Sequence, residues 1–113
     1  MMSSQLSQEL APIIDEIVLM FAIDEPKRAG IARHLYRTVV DEPEQITPVY
    51  CSLDWWGAAG SMADYAPSDR EVNRRYLQLL VALVQAFEKY GYHCPRARYW
   101  VDVFADWLRS GTI

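Results

Sequence analysis

Residues 68–91 read SDREVNRRYLQLLVALVQAFEKYG, and the spacing within this stretch decides the fold class. Val72, Tyr76, Leu79, Leu80, Leu83 and Phe87 recur at three- and four-residue steps, the period of one helical face rather than of a strand. Leu77, Val81 and Val84 widen the stripe, so this helix is expected to lie centrally and to be packed on two sides. Ser68-Asp69-Arg70-Glu71 has the spacing of a capping box at its start, and Gly91 is its stop.

The same period extends outward in both directions. Pro95 opens a last helix whose Tyr99, Trp100, Val103, Phe104, Trp107 and Leu108 make an apolar face, with Asp102, Asp106 and Arg109 opposite and Gly111 closing it. Towards the N-terminus, Leu6, Leu10, Ile13, Ile14, Ile17, Val18 and Phe21 form another face. Pro12 predicts that this helix either starts near it or bends there, because proline removes a hydrogen bond and crowds the preceding turn. Asp24-Glu25-Pro26 begins a second helix running to about Val40, burying Ile31, Leu35, Tyr36 and Val39, and Asp41-Glu42-Pro43 ends it.

Between these helices lie shorter signals. Thr47-Pro48 reads as cap and first residue of a short helix carrying Val49, Leu53 and Trp56 on one face, with Gly57 as its stop. A strand over residues 46–52 competes, but the flanking prolines and helices oppose it. Ser61-Met62-Ala63-Asp64 has capping-box spacing for a single turn before Pro67. The expectation is an all-α fold: a compact bundle of four main helices plus short helical turns, one domain over residues 1–113.

Charge is distributed unevenly. The net charge is −4, yet residues 38–69 contain six acids (Asp41, Glu42, Glu44, Asp54, Asp64 and Asp69) and neither lysine nor arginine. Such a segment favours a basic protein and opposes phosphate backbones and anionic lipid. Arg33, Arg37, Arg70, Arg74 and Arg75 have acids nearby and the chain is acidic overall, which argues against a recognition helix for DNA. The longest apolar stretch, residues 17–23, is far shorter than the ~20 residues that cross a bilayer. Cys51 and Cys94 are too few for a disulfide scaffold and are read as small apolar filler in a reducing cytoplasm, although their proximity does not follow from spacing. With no targeting signal legible at the start, the expectation is a cytoplasmic protein.

No residue set names a reaction. His34 and His93 lack metal-ligand spacing, and no Glu-x-x-His motif accompanies the carboxylates. Cys51 with His34, or Cys94 with His93, supplies the residue types of a nucleophile and base but no more. Gly57-Ala58-Ala59-Gly60-Ser61 lacks the lysine of a phosphate loop and reads as a tight reversal. Trp100 and Trp107 are expected in the core. A helix cannot bury Trp55 and Trp56 in one direction, so Trp56 is placed inward with Leu53 and Trp55 at the surface or beneath the glycine turn.

The segment Trp55-Trp56-Gly57-Ala58-Ala59-Gly60-Ser61-Met62-Ala63-Asp64-Tyr65, followed by the helix from Ser68, resembles a loop of small helical bacterial proteins of the polymorphic-toxin immunity type. Gly57, Gly60, Ser61 and Asp64 carry the match; Ala58 and Ala59 stand where glycines are expected. The resemblance implies a stoichiometric inhibitor of a toxin, with no cofactor, no metal and no turnover. The expected contact residues are Asp41, Glu42, Glu44, Asp54, Asp64 and Asp69 for the field, with Tyr50, Trp55 and Tyr65 as anchors. Two other readings stand beside it. One is a small enzyme or ligand-binding bundle with a pocket near Trp55, Tyr65 and His34; the other is a homodimer using Tyr92 and Tyr99.

Overall fold

The computed structural model describes residues 2–111, with side chains from residue 5 onward. Its helices are α1 (Met2–Phe21), α2 (Pro26–Asp41), α3 (Ile46–Tyr50), α4 (Leu53–Trp56), α5 (Arg70–Lys89) and α6 (Pro95–Ser110), with a 3-10 turn at Pro43–Gln45. No strand occurs among the described residues. The all-α bundle of four main helices and short helical turns is therefore the observed fold.

The capping residue of α5 differs from the expected one. Asp69, rather than Ser68, is the cap: its Oδ1 accepts from the amides of Glu71 at 2.9 Å and Val72 at 3.0 Å. Aspartate one position closer satisfies two orphan donors and also meets the positive end of the helix dipole. Asp69→Ala should cost about 1 kcal/mol in urea unfolding, while Ser68→Ala should stay within about 0.5 kcal/mol. The chain leaves α5 through a Schellman turn. Gly91 donates to the Glu88 carbonyl at 3.1 Å and Tyr92 to that of Phe87 at 3.0 Å, and the two rings meet edge-on at 6.1 Å.

α1 is continuous through Pro12. Both Pro12 and Gln8, whose carbonyl loses its partner, are exposed, so water can take the lost bond. Leu6, Leu10, Ile14, Ile17 and Phe21 are buried as the spacing predicts. On α2 the buried face is turned towards Ala29, Ala32, Leu35, Thr38 and Val39, leaving Ile31 and Tyr36 half-buried. Small residues there let α1 and α2 lie close along their lengths.

The long helices contact one another in the order α2, α1, α5, α6, so α5 packs against both α1 and α6 as expected. The segment from residue 43 to 69 spans the open side: α3 packs on α2, and α4 touches α6. The radius of gyration, 13.3 Å, matches the about 13 Å expected of a folded chain of this length. No helix among the described residues is long and apolar enough to cross a membrane.

Two expectations for the short helices fail. The helix after the 3-10 turn begins at Ile46, so Thr47 is not its cap, and Pro48 lies inside it. Residues 61–64 form turns and no helix. The cysteine reading fails as well. Cys51 and Cys94 are joined in a disulfide, with Cα atoms 5.6 Å apart. The bond ties the end of α3 to the start of α6, which removes any thiol nucleophile at either position.

Candidate functional site

The loop from Gly57 to Ala66 is fixed by its own backbone and by its neighbours. A Cβ on Gly57 would fall 2.5 Å from the Leu53 carbonyl oxygen, so only glycine fits this stop. Gly60 turns the chain at φ +89°, in the left-handed region. Ser61 is buried; its Oγ donates to the Gly57 carbonyl at 2.9 Å and accepts from the Asp64 amide at 3.2 Å. Asp64 Oδ2 accepts in turn from the Gly60 amide at 3.2 Å. Ser61 thus makes its half of a capping box around a turn instead of a helix, while the Asp64 carboxylate reaches one residue further back, to Gly60 instead of Ser61.

Two further anchors hold the loop against the bundle. The Met62 amide donates to the Asp54 carbonyl at 2.8 Å and the Ala63 amide to that of Trp55 at 2.9 Å. From α5, Tyr76 Oη donates to the Met62 carbonyl at 2.8 Å, and burial pushes the Tyr76 phenol pKa far up, keeping it a donor. Arg28 on α2 pairs with Glu25, reaches the Ser61 carbonyl at 3.3 Å and stacks over the Tyr65 ring at 4.7 Å. Tyr65 also packs on Phe21 and Tyr76, with centroids 4.8 and 5.9 Å away.

The expected anchors are mostly inside. Trp55 is 1% exposed and Tyr50 likewise, so neither can meet a partner. Trp56 is buried too, and Leu53, placed inward by the sequence reading, is 64% exposed. Four residues of helix are too few to obey one-face logic: α4 is covered on both sides, by the bundle and by the returning loop. Tyr50 stacks on Phe87 at 4.0 Å, its hydroxyl has no partner among the described residues, and desolvation drives its pKa far upward. Tyr65 is half-buried, one face already occupied by Arg28.

The six acids are all exposed, and none forms a salt bridge among the described residues. They do not form one patch. Asp54 shares a cleft with Lys27 near the start of α2, whereas Asp41, Glu42 and Glu44 cluster at that helix's far end, roughly 20 Å along its axis. Asp69 sits at the head of α5, where neighbouring Arg70 donates to the Gly111 carbonyl.

Asp64 is in different company. With Tyr65 it borders a cleft of about 280 Å³ whose other wall is Trp100, Phe104 and Trp107 of α6 and whose floor includes Asn73 and Leu77 of α5. Trp100 is half-buried, and Trp107 is 36% exposed instead of lying in the core. The buried face of α6 is centred on Ala97, Val101 and Phe104, and this rotation turns the tryptophans out. Phe104 lies 5.7 Å from each of their rings. Asn73 Oδ1 is buried beside the cleft with no donor among the described residues. Aromatic faces, one carboxylate and no paired cation form a setting for a positive group. The surplus of aromatics on one helix is the signal that the sequence offers for this wall, although their spacing alone points them at the core.

His34 and Trp55 line a second cleft, which Tyr65 does not reach. Among the described residues no group of three or more His, Cys, Asp or Glu is arranged to hold a metal ion. No family model, curated protein or solved structure matches this chain.

Proposed function

We infer that this protein is a non-catalytic protein-binding module that receives a cationic side chain of a basic partner in the cleft between the 63–66 loop and α6. The observation that carries this reading is the pairing of exposed Asp64 with Trp100 and Trp107 around an open space. An arginine entering there would stack on indole faces and pair with the carboxylate, and partial desolvation would strengthen both contacts. The scattered acids would raise the encounter rate, and the aromatic wall would slow release.

The resemblance of residues 55–65 to a loop of immunity-type proteins gives the reading its biological form: an inhibitor that covers a basic toxin without turnover. The Cys51–Cys94 bond bears on where this happens. Disulfides persist where thiols are oxidised, which favours an oxidising compartment over the cytoplasm.

Asp64→Lys and Trp107→Ala should each weaken binding of an arginine-rich peptide about tenfold in a tryptophan-fluorescence titration. Each variant loses one local contact, the Gly60 amide bond or the packing on Phe104, so each should remain folded with a stability loss of about 1 kcal/mol, and affinities are compared where all are native. Equal affinity in the two variants and the wild type would remove the cleft from the proposal. For the inhibitor role, rescue of cells expressing a toxin encoded beside this gene should depend on the same two residues.

A further inference from the structure

We propose that the second cleft, between α2 and the α3–α4 connection, is a separate binding site for a small zwitterion of the free amino acid class. Its walls carry Lys27, His34, Ser52, Asp54 and Trp55, and its volume is about 230 Å³. That space suits an amino acid and is below the usual range for larger ligands.

Gly30 is the first observation pointing to a ligand. It lies inside α2, where glycine weakens a helix relative to alanine. Beyond its chain neighbours and the backbone of its own helix, nothing described lies within 4 Å of where its Cβ would stand, and its φ is not positive. Neither packing nor backbone geometry therefore requires glycine, but Gly30 lines the cleft, and a side chain would occupy it. The second observation is the wall itself: Trp55, Lys27, His34 and Asp54 border the same open space, an aromatic face with groups of both charges around it.

The chemistry of the walls selects the class. Lys27 and Asp54 share the cleft without forming a salt bridge, so one cation and one anion remain to be matched. A carboxylate satisfies Lys27 and an ammonium group satisfies Asp54, with the Trp55 ring as the wall between them. The site is independent of the cleft beside Asp64, so either can fail alone.

NMR titration of the whole protein with individual L-amino acids to about 20 mM, following the assigned Trp55 indole N–H, tests this. At least one amino acid should produce a saturable shift there and at residues 27–34. Acetate and methylammonium should each bind about tenfold more weakly than the zwitterion. Gly30→Leu should fill the cleft and abolish the shift while raising Tm, because leucine is the better helix former. Lys27→Met, an exposed change that leaves the fold intact, should weaken binding about tenfold. No saturable shift with any amino acid, shifts that persist in Gly30→Leu, or equal binding of acetate alone would each overturn the assignment.

Discussion

Replacing both Cys51 and Cys94 with serine is expected to lower the unfolding free energy by about 4 kcal/mol, the loop-closure value for a cross-link spanning 43 residues. The loss should be large because of what the bond joins. α6 contacts α5 along its length, and it meets the short segment through α4, the Trp100 Nε1 bond to the Trp56 carbonyl at 3.2 Å, and the disulfide. Urea unfolding with and without reductant measures the effect. Wild type should fall to the stability of the double serine variant on reduction, and the variant should not respond. A reductant-independent wild type would mean that the two sulfurs are not bonded in solution.

Trp56→Ala is expected to cost about 3–5 kcal/mol, the range for emptying a buried aromatic site. Trp56 is 2% exposed, sits against Tyr50 and Trp55, and its Nε1 donates to the Tyr50 carbonyl at 2.8 Å. Phenylalanine variants separate volume from hydrogen bonding. Trp56→Phe leaves the Tyr50 carbonyl without that donor, whereas Trp55→Phe removes an N–H that has no acceptor within the described protein. Trp56→Phe should therefore be more destabilising than Trp55→Phe by about 1–2 kcal/mol in chemical denaturation. Equal losses would show that the Trp56 bond adds nothing beyond packing.

The long helices were legible because their apolar residues repeat over three or more turns, enough for the period to outweigh any single residue. α5 shows this most clearly: Tyr76, Leu80, Leu83, Val84 and Phe87 are buried where the pattern puts them. α6 was legible as a helix but not in its rotation. Its apolar arc is wider than the face α5 covers, so the pattern alone could not say that Trp107 would be left outside while Val101 is enclosed.

The candidate site was half legible. Asp64 and Tyr65 were singled out from the acidic, aromatic loop, and Asp64 faces solvent. Their companions Trp100, Trp107 and Asn73 come from helices that begin after the loop, and nothing local announces that they meet it. Trp55 and Trp56 are consecutive in a helix of four residues, and the rule that only one of them can face inward holds for longer helices. The backbone bonds from residues 62 and 63 back to 54 and 55 fold the loop over that helix and enclose both indoles.

Order along the chain, helix type, the proline starts at Pro26 and Pro95 and the glycine stop at Gly91 follow from the amino-acid sequence itself. Each depends on interactions within a few residues, which composition and spacing encode directly. Tertiary structure alone decided the Cys51–Cys94 bond, the burial of Trp55 and the meeting of Asp64 with the α6 tryptophans. Those depend on which helical faces touch, and that is settled when side chains remote in sequence compete for the same enclosed volume.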